Sequence, residues 1–263
     1  MPAAVKYLPL LILSIGAGPQ ILTGQTGQYQ NKTYVQGAIT RGHPAVPEIA
    51  LIFSGDEFGE GLTYVRKQLK RNKVPASFFF TGRFYRNPLF RKDLRRLIRD
   101  GHYMGAHSDQ HLLYCDWVRR DSLLVDKHEF STDLDLNYKA MEEAGADVSR
   151  ALYYLPPFEW YNDTISAWSA EKGIQLINFS QGTLSHTDYT TLADKNYRSN
   201  ETIYESVVRF EKARGLNGFI LLMHIGAGPA RPEKFYSLLP RLLVLLKERG
   251  YVFRAVDELL SNQ

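Results

Sequence analysis

The sequence predicts an α/β fold built on a parallel sheet, and three observations carry that prediction. From Pro47 onward, short β-rich runs alternate with amphipathic helical stretches about seven times. The helical stretches are bracketed by capping residues and glycine stops. The composition is that of an ordinary globular chain, with 44% hydrophobic and 23% charged residues among 263. Such a sheet either stays open or closes into a barrel; in both cases the chemistry belongs on the loops after the C-terminal strand ends.

Each element follows from local pattern. The apolar runs Ile49–Phe53, Ala76–Thr81, His102–Gly105, Ala151–Leu155, Ile174–Phe179, Gly218–Met223 and Tyr251–Arg254 read as strands. Leu62, Val65 and Leu69 share one face of a first helix. Asn87-Pro88 reads as the cap and first residue of a second, carrying Leu94, Leu97 and Ile98 and ended by Gly101. A third spans Asp126 to Glu143, with Gly145 beyond it. Asp163 is expected to cap a helix carrying Ile165 and Trp168 and stopped at Gly173. Asn200 is expected to cap one carrying Ile203, Val207 and Phe210, stopped at Gly215. Pro232 opens the last long helix, which Pro240 should kink.

The amino terminus differs from this body. Lys6, the run Tyr7–Ile15 and then Gly16, Ala17 and Gly18 have the order of a secretory signal, too short for a membrane span. Residues 1–24 are therefore expected to be a signal peptide, 25–45 a linker, and 46–263 a single domain of an exported protein without stable membrane insertion. The net charge of +4 comes with no arginine-rich tail and no RNA-binding motif, which argues against nucleic acid. One cysteine, Cys115, excludes intrachain disulfides and multi-cysteine metal sites, so a metal would have to use histidine and carboxylate.

Four candidates for chemistry fall at strand exits. His107-Ser108-Asp109-Gln110-His111 follows the third strand, and an i, i+4 pair on a helical turn can share one metal. Seven histidines would produce such a pair by chance with a probability of roughly 0.16, so alone it says little. Ser54-Gly55-Asp56-Glu57 follows the first strand and offers one metal ligand and one base; acids are also common at helix starts for electrostatic reasons. His224 closes the strand Phe219–Met223, where it is either a packed core histidine or a general acid. Leu155-Pro156-Pro157-Phe158 is a stiff turn that leaves the Phe158 N–H free to donate. Shared placement at one end of one sheet lifts these above chance. Glu57, His107 and His111 then make a two-histidine, one-carboxylate set whose divalent metal would lower the pKa of bound water from ~15.7 to about 7.

Other chemistries fail on their motifs. There is no G-x-S-x-G elbow and no P-loop, and Arg231 stands where the dinucleotide fingerprint begun by Gly226-Ala227-Gly228 needs glycine. Cys115 reads as a buried inert thiol. The aromatics Tyr114, Trp117, Trp160 and Tyr161 beside these loops are equally suited to stacking on sugar faces and to rim packing.

With these residues in place, the chain resembles the NodB-homology polysaccharide deacetylases, carbohydrate esterase family 4, over about residues 46 to 258. Ile49 to Glu57 resembles the motif usually ending Thr-Phe-Asp-Asp. Ala76 to Gly82 resembles the second strand, and His107 to His111 matches His-(Ser/Thr)-x-x-His. Leu155-Pro156-Pro157-Phe158 resembles Arg-Pro-Pro-Tyr, and Leu222-Met223-His224 matches Leu-x-His. The resemblance implies a distorted (β/α)7-type barrel. It also implies metal-dependent N- or O-deacetylation of an acetylated carbohydrate, with zinc as the default metal and cobalt or nickel as alternatives. Asp56 would be the base, Glu57, His107 and His111 the metal ligands, His224 the acid, and the Phe158 N–H an oxyanion donor. Three departures stand out. Glu57 replaces aspartate, Leu155 replaces the arginine that orients the base, and Gly182 replaces the aspartate partner of the acid histidine, with Asp188-Tyr189 nearby as a substitute. The losses motivate a rival, a catalytically inactive carbohydrate-binding protein on the same scaffold. A second rival is an iron(II) oxygenase using His107, Asp109 and His224, against which the alternating helices argue.

Overall fold

The computed structural model describes residues 31–261; the expected signal peptide lies outside them. Nine strands share one mixed sheet: β1 Thr33–Val35, β2 Ala38–Arg41, β3 Glu48–Gly55, β4 Ser77–Phe80, β5 Tyr103–Ala106, β6 Tyr153–Tyr154, β7 Gln175–Leu176, β8 Phe219–His224 and β9 Val252–Arg254. The order is β1-β2-β8-β3-β4-β5-β6-β7, parallel from β8 to β7 and antiparallel at β2. A bridge between Ile39 and Ile177 brings the β7 side back to β2, so the sheet curls on itself as a barrel does.

All seven expected strands are present, but the closure is not the one a simple unit count suggests. β9 does not extend the barrel; it pairs with β3 at Glu48–Ala50, below the stretch Ile52–Gly55 that pairs with β4. The position beside β8 is taken by β2, which comes from the segment expected to be a linker. That expectation is corrected for residues 31–45. Their glycine and threonine content hid a short hairpin, and its apolar pair Ala38 and Ile39 is buried.

The strands alternate strictly between two cores. Ile49, Leu51 and Phe53 face the outer layer of helices, whereas Ala50 and Ile52 face the barrel interior with Phe79, Leu155, Ile177, Ile220 and Leu222. The helix α8, Val256–Ser261, closes the lower end with Val256, Leu259 and Leu260, and its first N–H donates to Ser77 Oγ. Continuing the same parity up each strand brings Ser54, Thr81, His107 and His224 to the open mouth. Burial of both sheet faces explains why these strands read as continuous apolar runs.

The outer helices are α1 Leu62–Asn72, α2 Gly82–Arg86, α3 Arg91–Arg99, α4 Lys127–Ala144, α5 Asp163–Glu171, α6 Asn200–Arg214 and α7 Leu239–Glu248. Asp126 and Glu129 form a reciprocal capping box on α4, which ends at left-handed Gly145. Four expected starts move. Asn87 ends the unforeseen short helix α2 rather than opening α3. Asn162 and Ser199, each one residue earlier than expected, cap α5 and α6 with their side chains. Pro232 precedes a 3-10 turn, and Pro240 lies in the first turn of α7, where its missing N–H costs nothing and no kink arises.

Candidate active site

The six residues expected to carry chemistry, Asp56, Glu57, His107, His111, Phe158 and His224, line one pocket of about 490 Å3 at the barrel mouth. β3 ends at Gly55, where a Cβ would meet Ile225 Cγ2 at 2.7 Å and Phe80 Cδ1 at 2.9 Å. The strand's last position therefore cannot carry a side chain, and the carboxylates begin one residue beyond it. Ser54, facing the mouth in register with His224, is buried, and its hydroxyl has no partner among the described residues.

Asp56 is gripped. Both its oxygens accept from the Arg83 guanidinium, and Oδ1 also accepts from Thr81 Oγ1 at 3.0 Å. Burial alone would raise its pKa; the Arg83 hydrogen bonds and neighbouring charge, with Thr81, outweigh it and hold the carboxyl below its ordinary value. Arg83 sits on α2, the element that sequence pattern missed. Arg83 therefore supplies the guanidinium beside Asp56, while Leu155 itself is fully buried in the barrel interior. Glu57 is exposed at the rim.

The histidine pair is not on a helical turn. Residues 107–111 form a loop with Ser108 at φ +70° and His111 at φ +58°, and the two rings lie 5.0 Å apart. Side chains brace this loop. Asp133 on α4 accepts from the Asp109 and Gln110 N–H groups at 3.0 Å, and Asn137 Oδ1 accepts from the His107 N–H at 2.7 Å. Asp109 is paired through both oxygens with Arg86, so it is spent on structure and does not serve an oxygenase triad. His107 Nδ1 bonds the Leu155 carbonyl at 2.8 Å, leaving Nε2 for the pocket. Burial, with the other imidazole nearby, depresses His107 to about 3; burial brings His111 to about 4.

Neutral imidazoles, one with its second nitrogen fixed by a carbonyl, suit metal ligation in kind. The arrangement is less complete. Among the described residues, no group of three or more His, Cys, Asp or Glu is gathered to hold an ion.

His224 occupies the opposite wall. Its Nδ1 lies 2.7 Å from Asp188 Oδ1, and Asp188 Oδ2 accepts from its backbone N–H at 2.9 Å. Burial pulls His224 down, but the charge and hydrogen bond of Asp188, and Glu159 beyond it, more than compensate, so its pKa is raised. Asp188 thus stands where Gly182 could not. At Gly182 φ is +123° and a Cβ would fall 2.0 Å from Phe210 Cε2. Phe158 adopts φ +57°; the following two N–H groups turn back to Pro156 and Pro157, and its ring packs edge-on against His111 at 4.3 Å. Of the flanking aromatics, Tyr114 and Tyr161 are interior, whereas Trp117 is 55% exposed, stacked on Trp160 at 5.7 Å and edge-on to Phe158. Burial pushes the Cys115 thiol up to about 11, so it is inert.

A family model for polysaccharide deacetylases matches residues 44–177. The chain belongs to the polysaccharide deacetylase family. The match ends before Asp188 and His224, so it does not extend to that pair. Among curated relatives, an uncharacterised 30.6 kDa protein of Geobacillus stearothermophilus is 25% identical over 229 residues, 86% of this chain and 76% of its own. A chitin deacetylase of Arthroderma benhamiae is 24% identical over 196 residues, 73% of this chain but 46% of its own. Among solved structures, a family 4 carbohydrate esterase of Bacillus subtilis has a TM-score of 0.64 at 20% identity, covering 86% of each chain. A family 4 pseudoenzyme from Bacillus anthracis reaches 0.67 at 20% identity, covering 86% of this chain and 70% of its own. At such identities the likeness establishes the deacetylase fold. Among the described residues, no helix is long and apolar enough to cross a membrane.

Sequence reasoning missed Arg83 and Glu159. Arg83 lay in a stretch read as the end of a strand and a loop, and Glu159 follows the proline turn with no partner in sequence to flag it.

Proposed function

We propose that this chain is an exported hydrolase that removes acetyl groups from a polysaccharide or oligosaccharide. The observation that carries the reading is the hydrogen-bonded Asp188–His224 pair in the same pocket as an oriented carboxylate, Asp56. Asp56, held ionised by Arg83, accepts a proton from the attacking water. The Phe158 N–H donates to the oxyanion of the tetrahedral intermediate. His224, kept protonated by Asp188, gives its Nε2 proton to the departing nitrogen or oxygen. His107, His111 and Glu57 would hold a divalent metal, with zinc preferred over cobalt or nickel; when bound, such an ion acidifies water and polarises the acetyl carbonyl.

Acetate release from acetylated xylan, chitin and peptidoglycan fragments, with and without chelator, tests the reading. Asp56→Asn and His224→Ala should each lower turnover by roughly 10²–10⁴-fold while metal content, measured by elemental analysis, persists. Wild-type turnover in either variant overturns the assignment. A second reading, an inactive carbohydrate-binding protein, is favoured by the complete engagement of Asp56 with Arg83 and by the ungathered ligand set. It predicts sugar binding with no acetate release.

A further inference from the structure

Glu159 lines the same pocket, beside His224, yet the steps above give it no task. It is held there at a cost. Phe158 and Glu159 are consecutive non-glycine residues in left-handed backbone, with φ +57° and +52°, a conformation unfavourable by about 1 kcal/mol or more per residue. The turn is pinned from both ends: the Glu159 carbonyl accepts from Asn178 Nδ2 at 2.9 Å, and Trp160 Nε1 donates to the Asp116 carbonyl at 3.2 Å. A glycine would satisfy this backbone without strain. The glutamate instead puts a carboxyl into the pocket.

That carboxyl is the unspent acid of this wall. Asp188 is taken by His224, and across the pocket Asp56 is taken by Arg83. Glu159 makes no side-chain hydrogen bond or ion pair among the described residues. Burial, with Asp188 nearby, lifts it to about 7, against the opposing pull of His224, so it is poised to ionise for a cationic or strongly donating ligand. Both the leaving atom and Glu159 belong beside His224, because that is where the proton is delivered.

We propose that Glu159 is a specificity-determining residue that binds the nitrogen of the leaving group, accepting from the substrate amide N–H and pairing with the ammonium of the product. The proposal rests on the hydrolase reading for where the leaving group sits. It assigns the carboxyl to nitrogen and not to a hydroxyl, because an alcohol product stays neutral and gains far less from a half-buried carboxylate than an ammonium does.

The test uses the full chain with Glu159→Gln and Glu159→Gly. Calorimetric binding of a glucosamine trimer at pH 7 should weaken at least ten-fold in both variants, and that of the neutral N-acetylated trimer less than three-fold. Thermal midpoints should not fall in Glu159→Gly, because that change relieves the backbone. In acetate release, Glu159→Gln should raise KM for N-acetylated substrate more than it lowers kcat, and should shift the preference toward O-acetylated sugar. Equal affinity of wild type and Glu159→Gln for the glucosamine trimer overturns the proposal, whatever the activity. Trimer binding by a wild type that releases no acetate, lost in both variants, upholds the nitrogen site and overturns the hydrolase reading instead.

Discussion

The two walls of the pocket are built differently. On the β3–β5 side, regular elements and ion pairs hold each group: Arg83 on α2 grips Asp56, Arg86 grips Asp109, and Asp133 and Asn137 on α4 carry the histidine loop. On the β8 side the groups come from irregular segments: Asp188 follows a 3-10 turn and Glu159 lies in a strained one. Fully buried Arg231, whose guanidinium donates to the Thr190 and Arg198 carbonyls, ties that region together. The first wall is pre-organised by ion pairs and hydrogen bonds from helices, and the second by a few hydrogen bonds between irregular segments. Single substitutions should therefore act locally on the first and spread on the second.

Asp188→Asn and Arg83→Met compare the two walls directly, and the first should have the larger effect. Asp188→Asn removes the group that raises His224 and orients it, so turnover should fall by roughly 10²-fold or more. The sign of the pH effect follows from the direction of the shift. His224 is raised by Asp188 and Glu159 against burial and the Arg231 charge, with the Tyr189 ring packed against it at 4.7 Å. The acid form thus survives above the ordinary histidine value of about 6.5, and turnover declines as pH rises through the raised value. In Asp188→Asn burial dominates, so the alkaline limb of the kcat profile should move to lower pH; an unmoved limb would separate His224 from the acid role. Arg83→Met should cost about ten-fold through misorientation of Asp56, with the alkaline limb unchanged.

Next in size is Gly182→Ala. The new Cβ enters the Phe210 ring at a left-handed position, and urea unfolding should show a loss of about 2–3 kcal/mol. Gly173→Ala, also left-handed at φ +75° but with nothing within 4 Å, should lose only about 1 kcal/mol. Equal losses would mean that Phe210 yields and that the crowding does not exclude a side chain there. The smallest effect belongs to Trp117→Ala. Removing this exposed ring from its stack on Trp160 should raise KM several-fold, about 1 kcal/mol, and leave unfolding midpoints unchanged; an unchanged KM would assign the ring to rim packing.

Much of this site was legible in the sequence because strand parity is a local property. The runs ending at Phe53, Met223 and Gly105 announce buried strands, and the polar residues just past them must face a mouth. The substitution of Asp188 for an acid at Gly182 was likewise suggested by proximity along the chain. Arg83 was not legible, because its partner Asp56 is 27 residues away and α2 is a five-residue helix between stronger signals. The same limit hid β2, whose role depends on β8, nearly 180 residues later. The histidine spacing implied a helical turn that is not there: the two rings meet through left-handed loop backbone at Ser108 and His111.

By itself, then, the sequence determined the parallel strands, the end of the sheet that carries the pocket, and six of the residues that line it, all of which follow from periodicity and from residue types adjacent along the chain. The tertiary structure alone decided who holds whom. Arg83 takes Asp56, Asp188 takes His224, β2 closes the sheet, and the Glu159 carboxyl is left without a partner among the described residues. Those pairings depend on distances between segments far apart in sequence, where no local pattern reaches.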